Sequence, residues 1–337
     1  MQHRFPSDAA RPSGFRATLV SMLRRTFGFA AVGITSFLCW VSISAQQQPV
    51  FRGRGDAVRV FVTVTDRDGR LVTTLAKEDF EVRDEGKPQA LTLFDNTPQP
   101  IKLVVLLDVS GSMEGNLPLL RAGTDALIGR LGKDDLVRLG TFGKTVTISP
   151  AFTRDGNELR AALPNEIDPH APTPLWRAID EAMEAFGDEA DQRRAILVLS
   201  DGKDSGPIGF ARKVSSQGDV IDRARRDNVM IYGVGMRSRQ RPTAPGPGPG
   251  GLQAALLADL PDPGLARVAE ESGGGYTEIR YGEDLLTAFA RVADELHSQY
   301  LLGYAAPSHD GKVHKIDVRV GQKGLKARGQ KSYVAPK

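Results

Sequence analysis

Five side chains that carry oxygen atoms stand at positions where α/β proteins commonly bind ligands. Three of them form the pattern Asp108-x-Ser110-x-Ser112, which begins at the end of an apolar run. The other two are Thr173, which lies between two prolines ahead of an amphipathic segment, and Asp201, which follows a second apolar run. Carboxylate and hydroxyl oxygens are hard ligands, and the set holds no thiolate, so it suits Mg²⁺ or Mn²⁺. The sequence therefore predicts a site for a divalent cation.

The two apolar runs explain how these residues could meet. Residues 102–108 and 195–200 are almost continuously apolar, which is typical of strands buried on both faces of a parallel sheet. Ligands of open α/β sheets bind in the crevice at the carboxyl ends of such strands. Taken singly, Asp108 and the two serines are equally well explained as turn or capping residues. The joint order of all five residues favours the cation site.

The remaining periodicity predicts a doubly wound α/β domain over residues 99–298. Apolar residues recur at helical spacing in 117–131, 174–186, 217–228, 265–272 and 282–297, and strand patterns occupy 136–142, 145–148, 229–234 and 276–279. Strands that alternate with helices form a mostly parallel sheet with helices on both faces. The proline- and glycine-rich segment 237–251 interrupts this pattern, and we interpret it as a flexible surface insertion.

Two β-rich regions flank the α/β domain. Residues 58–65 alternate and are followed by a turn, and residues 80–83 and 91–94 are predicted to pair as a hairpin around Asp84–Lys87. Strand-like segments return at 300–304, 313–320 and 325–331. Two or three strands alone are marginally stable. We therefore expect regions 46–98 and 299–337 to combine into a small all-β domain that is split around the α/β domain.

The sequence resembles the von Willebrand factor A domain with its metal-ion-dependent adhesion site. Asp108, Ser110 and Ser112 match the Asp-x-Ser-x-Ser element of that site, Thr173 its separate threonine, and Asp201 its second aspartate. The resemblance covers about residues 101–298. The layout, with β-strands before this domain and a Tyr-x-x-Gly-Tyr segment at residues 300–304 after it, is also similar to exported acidobacterial proteins related to von Willebrand factor A.

The resemblance implies a binding function. In that family the cation, Mg²⁺ with Mn²⁺ or Ca²⁺ as alternatives, is held by these residues, and water supplies much of the remaining coordination. A carboxylate of a partner protein can displace one of these water molecules. The expected protein is thus a non-enzymatic module whose partner supplies an acidic residue. Two alternatives stay open: a structural module stiffened by its metal, and a metal-dependent hydrolase or phosphoaspartyl enzyme that uses Asp108. A phosphatase would commonly carry a second aspartate where Ser110 stands, and neither a nucleophile-elbow nor a P-loop motif is present.

Several other residues have plain structural interpretations. We expect Glu114 and Asp204 to be solvated or to lie behind the ligands, Asp66-Arg67-Asp68-Gly69 to form a hairpin turn rather than a calcium loop, Gly273-Gly274-Gly275 to form a tight turn, and His170 to be an ordinary loop histidine. His297, His309 and His314 do not have the spacing of metal ligands.

The first 45 residues are typical of an export signal. Arg24-Arg25 precede an uncharged run that ends in Ser42-Ile43-Ser44-Ala45, and we expect cleavage after Ala45 or Ser44. The alternative is an uncleaved anchor, because this run is just long enough to span a bilayer. Either case places the folded part outside the cytoplasm, in the periplasm, at the cell envelope or secreted.

The leader also explains the basic composition. It holds five arginines and one aspartate, so the chain's formal charge of +3 leaves the remaining residues nearly neutral, which gives no indication of nucleic-acid binding. The leader contains the single cysteine, Cys39, so the chain after it has neither disulfides nor a thiolate metal site.

Overall fold

The computed structural model describes residues 57–187, 193–201, 203–206, 214–237, 262–279 and 285–337. The predicted leader, and the predicted insertion apart from Arg237, lie outside the described residues. Fourteen strands are described: β1 (Ala57–Thr65), β2 (Phe80–Asp84), β3 (Lys87–Gln89), β4 (Leu91–Asp95), β5 (Ile101–Asp108), β6 (Leu136–Phe142), β7 (Val146–Ile148), β8 (Arg193–Ser200), β9 (Val229–Met236), β10 (Tyr276–Ile279), β11 (Tyr300–Ala305), β12 (Val313–Val320), β13 (Lys326–Arg328) and β14 (Ser332–Val334).

Six α-helices are described in the same ranges: α1 (Leu117–Ile128), α2 (Gly156–Ala161), α3 (Leu175–Glu184), α4 (Gln217–Asp227), α5 (Pro263–Ser272) and α6 (Leu285–His297). None of the helices in the described part of the chain is long and apolar enough to cross a membrane. Two helix ends show why the elements stop where they do. Ser216 and Asp219 form a capping box at the start of α4, and Asn228 ends that helix in the left-handed conformation, with φ of 50°.

The central sheet has the strand order β10-β9-β8-β5-β6-β7, in which only the edge strand β7 is antiparallel to its neighbour. Every residue of β5 is buried. Leucines of α1 and α6 pack on one face of the sheet, and apolar residues of α3, α4 and α5 pack on the other. Helices thus cover both faces, which confirms the predicted doubly wound α/β fold.

Two four-stranded sheets lie outside the central one, with the orders β13-β1-β11-β4 and β14-β12-β2-β3. They share one hydrophobic core, in which the alternating valines of β1 face residues of β2, β11 and β12. The pairing of β1 with β11 and of β2 with β12 joins the two ends of the described chain. The exact domain boundaries at residues 98 and 298 stay predictions.

The predicted hairpin between residues 80–83 and 91–94 is wrong. β2 pairs with the short strand β3, so Asp84 lies opposite Lys87, whereas β4 leaves this sheet and pairs with β11 in the other one. The alternation of β4 suits either sheet, because its pattern shows which face is buried and not which strand is its neighbour. The short elements α2, β3 and β14 were not predicted, and α1 ends at Ile128 rather than near residue 131.

Asp84 links both outer sheets through a buried polar cluster. Its Oδ2 accepts hydrogen bonds from the hydroxyls of Tyr304 (3.0 Å) and Tyr333 (2.7 Å), and its Oδ1 lies 2.9 Å from Nδ1 of His314. The other ring nitrogen of His314 lies 3.4 Å from Asp310. The hydrogen bond to Asp84 raises the pKa of His314 above its ordinary value of 6.5. The protonated imidazole therefore stabilises the folded state.

This cluster predicts a pH-dependent stability. The contribution of His314 is complete below about pH 6.5, where the unfolded chain also binds the proton, and it is lost as the pH rises through the higher folded-state value. Urea unfolding at several pH values should show that the His314→Gln variant loses less stability than the wild type between pH 6 and pH 9. The matched control, His170→Gln, changes an exposed histidine outside this cluster and should keep the wild-type profile. Equal pH profiles of His314→Gln and the wild type would contradict the assignment.

Candidate functional site

The Asp-x-Ser-x-Ser segment forms a tight loop at the carboxyl end of β5. Asp108 is fully buried, and its Oδ1 accepts a hydrogen bond of 2.9 Å from the backbone N–H of Ser110. A short 3₁₀ turn follows at Gly111–Met113. This turn brings the Ser110 and Ser112 hydroxyl oxygens to 3.1 Å from each other. The pattern therefore gathers one carboxylate and two hydroxyls at the end of a single strand.

Asp201 reaches the same place from the neighbouring strand. β8 runs parallel to β5, with Leu199 opposite Leu107, so both strands end at one edge of the sheet. The Ser112 hydroxyl donates a hydrogen bond of 2.7 Å to Oδ1 of Asp201. Hydrogen bonds thus join four of the five predicted ligands.

Thr173 lies in the loop ahead of α3 and is buried. Its backbone N–H donates to the hydroxyl of Ser205 (2.9 Å), and its carbonyl accepts from the N–H of Ser205 (2.9 Å). The same loop joins the first one, because the N–H of Gly111 donates to the carbonyl of Ala171 at 2.9 Å. The hydrogen bonds found among the described residues do not include one from the Thr173 hydroxyl to the other four predicted ligands.

The contact between these two loops is unusually close at Gly111. A Cβ atom at this position would lie 2.0 Å from the carbonyl oxygen of Pro169. Since no side chain fits there, glycine is required by packing rather than by its dihedral angles. None of the sequence patterns described above marks this residue.

The electrostatics of the site suit a cation. Burial raises the pKa of Asp108 to about 7, and the nearby negative charge of Asp201 adds to this effect. Burial also raises the pKa of Asp201. The Oδ2 atom of Asp201 is buried, and no hydrogen-bond donor for it is found among the described residues. A buried carboxylate oxygen without a donor is costly, and a bound cation would remove that cost. The donor set therefore fits a divalent metal ion.

Three further residues position the predicted ligands. Ser200 and Ser205 were not predicted from the sequence, whereas Asp204 was expected to be solvated or to lie behind the ligands. Ser200 donates a hydrogen bond of 2.5 Å to Oδ2 of Asp108, and Ser205 holds Thr173. Asp204 lies behind the site, where its Oδ1 accepts from the N–H of Trp176 at 3.3 Å near the start of α3. The sequence offered one signal for these residues: the polar side chains of Ser200, Asp201, Asp204 and Ser205 cluster directly after a buried strand.

The other candidates have structural roles. Glu114 and the ring of His170 are exposed, and Oδ1 of Asp66 accepts from two backbone N–H groups of its own turn. His297 and His314 contact the carboxylates of Asp135 and Asp84. Within the described ranges, no cluster of three or more histidine, cysteine, aspartate or glutamate side chains could hold a metal ion. The candidate site differs from such clusters because three of its five residues are serine or threonine.

The middle of the chain matches a known family. Residues 102–244 match the family model for the von Willebrand factor type A domain. Domains of this family are often metal-dependent protein-interaction modules. Comparison with curated protein sequences gives no match.

Three solved structures illustrate the structural similarities. A von Willebrand factor type A protein from Catenulispora acidiphila is 12% identical, covers 85% of this chain and 76% of its own, and has a TM-score of 0.46. The conserved hypothetical protein BatB from Bacteroides thetaiotaomicron is 18% identical over 58% of this chain and 98% of its own, with a TM-score of 0.41. Proximal thread matrix protein 1 from the mussel byssus, solved with a zinc-occupied MIDAS motif, is 14% identical over 64% of this chain and 50% of its own, with a TM-score of 0.43.

The Gly111 contact yields a prediction that does not depend on any ligand. In the Gly111→Ala variant the methyl group must push the two loops apart, because its nearest neighbours are backbone atoms. We expect faster amide hydrogen exchange of Gly111 and a lower melting temperature. The matched control is Gly218→Ala, at an exposed position where the new Cβ would meet only the Ser216 hydroxyl, at 3.6 Å. If the amide hydrogens of this loop exchanged at the same rate in Gly111→Ala as in the wild type, the described packing would be contradicted.

Proposed function

We propose that this protein is an exported, non-enzymatic module that holds a divalent cation in a metal-ion-dependent adhesion site and binds an acidic side chain of a partner protein. The proposed ligands are Asp108, Ser110, Ser112, Thr173 and Asp201. The observation that carries the proposal is the buried Oδ2 atom of Asp201, which has no hydrogen-bond donor among the described residues and lies beside a second buried carboxylate. Two aspartates and three hydroxyls offer hard oxygens, which favours Mg²⁺, with Mn²⁺ or Ca²⁺ as alternatives.

The two aspartates contribute in different ways. Both oxygens of Asp108 already accept hydrogen bonds, from the N–H of Ser110 and the hydroxyl of Ser200. This carboxylate is therefore fixed in position and supplies negative charge. Asp201 uses only Oδ1 for its hydrogen bond from Ser112, so Oδ2 is available as a donor atom. The bound cation would supply an electrophilic centre, to which Asp201 offers a carboxylate oxygen that no described residue occupies.

A carboxylate from a partner would give the cation a second direct anionic ligand beside Asp201, because both oxygens of Asp108 are already hydrogen-bonded. The candidate shell contains two potential negative charges, and its remaining oxygens are neutral hydroxyls. An incoming aspartate or glutamate side chain would gain a direct electrostatic attraction to the cation at a site that includes the partly exposed Ser112. The cation would therefore favour an acidic residue of the partner over a neutral or basic one.

The same geometry argues against the enzymatic alternative. A phosphoaspartyl or hydrolytic mechanism would need Asp108 to present a nucleophilic oxygen, but this residue is fully buried and both of its oxygens are hydrogen-bonded. The purely structural alternative is distinguished by experiment, because metal removal would then lower stability without abolishing binding of a partner.

The metal prediction has a matched control within the same loop. Asp108→Ala removes one of two charges that oppose the cation, so calorimetric titration with Mg²⁺ should show at least a tenfold loss of affinity. Glu114→Ala removes an exposed carboxylate six residues later and should leave the affinity unchanged. Equal affinities of Asp108→Ala and the wild type would exclude the proposed site.

Thr173→Ala should separate partner binding from metal binding. The substitution leaves both aspartates and the charge of the site unchanged, so the affinity for Mg²⁺ should fall less than in Asp201→Asn. Capture of proteins from the envelope fraction by the Mg²⁺-loaded protein should fall markedly, and free glutamate at high concentration should compete with that capture. Capture that survives both EDTA and Thr173→Ala would mean that another surface recognises the partner.

The proposed location outside the cytoplasm depends on the first 45 residues. Cleavage after Ala45 or Ser44 predicts that the mature chain begins at Gln46 or Ala45. N-terminal sequencing of the protein recovered from the envelope measures this directly. A chain that retains its leader in the membrane would show that the segment is an anchor.

A further inference from the structure

A cavity of about 250 Å³ lies at the end of the central sheet opposite the candidate metal site. Ile101 and Arg193, the first residues of β5 and β8, line it from the sheet, and Phe61 and Leu301 line it from β1 and β11. Because the eight-residue strand β5 runs from Ile101 at the cavity to Asp108 at the candidate metal site, the two sites are roughly 23 Å apart. The cavity therefore lies between the central sheet and the outer strands.

Among the charged side chains that line this cavity, Arg193 is the most deeply buried, with 7% of its surface exposed. Its terminal nitrogens donate to the carbonyl of Leu296 and to Oε1 of Gln299. Its guanidinium group also lies 4.7 Å from the centre of the Phe61 ring. Its Nε atom is buried and has no hydrogen-bond acceptor among the described residues. One donor of a buried cation is thus left over.

The neighbouring carboxylates are occupied by other cations. Glu295 forms an ion pair with Arg328, and Asp135 lies 2.7 Å from Nε2 of His297. Asp134, at the mouth of the cavity, is 58% exposed and pairs with Lys133 at 3.9 Å. In the described part of the chain, Arg193 makes no ion pair with any carboxylate. Burial lowers the pKa of Arg193 to about 10, and the more distant charges of Asp135 and Glu295 offset only part of this effect, so Arg193 remains a cation at neutral pH.

We propose that this cavity binds a small organic carboxylate whose charged group pairs with Arg193 and whose apolar part packs on Phe61 and Leu301. The exposed Arg59 at the rim adds a second positive charge. A cavity of about 150 Å³ suffices for benzene, so this one has room for an aromatic or branched carboxylic acid of about ten heavy atoms. A buried guanidinium that makes no direct ion pair is costly, and the carboxylate of such a ligand would supply that ion pair.

Benzoate is the probe for this site. It is titrated into the protein lacking residues 1–45, in the presence of EDTA, so that the candidate metal site cannot contribute. We expect saturable binding in the millimolar range or tighter, and no binding of benzyl alcohol, which has the same ring without the charge. Arg59→Ala should weaken benzoate binding. Leu301→Trp, which fills the cavity and leaves Arg193 in place, should weaken it at least tenfold, with circular dichroism to confirm folding.

The matched control is Arg319→Ala, which removes an exposed arginine of β12, far from the cavity lining, and should bind benzoate like the wild type. The proposal is overturned if benzoate does not bind, if benzyl alcohol binds equally well, or if the folded Leu301→Trp variant binds benzoate with unchanged affinity. None of these outcomes depends on the metal site, so failure of this proposal leaves the proposed function untouched.

Discussion

The candidate site depends on the repulsion between two buried carboxylates, which lie at the ends of adjacent parallel strands. Asp108 is fully buried and Asp201 is 2% exposed, and the charge of Asp201 helps to raise the pKa of Asp108. Like charges at short distance in a low dielectric repel strongly. Hydrogen bonds from Ser110, Ser112 and Ser200 offset part of this cost. The oxygen of Asp201 that they leave out is the proposed donor atom for a cation.

The fold holds these carboxylates through contacts between segments far apart in the chain. Gly111 fits against Pro169, and the loop after Asp201 is joined to α3 and α5, since Asp204 accepts from Trp176 and its N–H donates to Asp262 at 3.1 Å. At the opposite end of the sheet, Gln299 donates to the hydroxyls of both Thr63 and Tyr232 and thereby connects the outer sheets to the central one. Each end of the central sheet is thus stabilised by buried polar contacts.

The sequence was most informative where one local pattern decides the outcome. The continuous apolar runs predicted β5 and β8, and parallel pairing of these strands places Asp108 and Asp201 at one edge. Ser200 was not recognised because its partner, Asp108, lies 92 residues away and nothing in the local pattern marks it. The pairing of β4 with β11 was not predicted for a similar reason. Alternation shows which side chains of a strand are buried, whereas tertiary packing decides which strand lies beside it.

The most direct test of the account is to locate the cation itself. In crystals of the mature protein soaked with Mn²⁺, anomalous scattering should give a peak within coordination distance, about 2.2 Å, of Oδ2 of Asp201 and of the Ser110 and Ser112 hydroxyls. The same peak should be missing from crystals of Asp108→Ala. A well-occupied Mn²⁺ peak elsewhere on the protein, with none at the carboxyl ends of β5 and β8, would contradict the assignment of these carboxylates to a metal site.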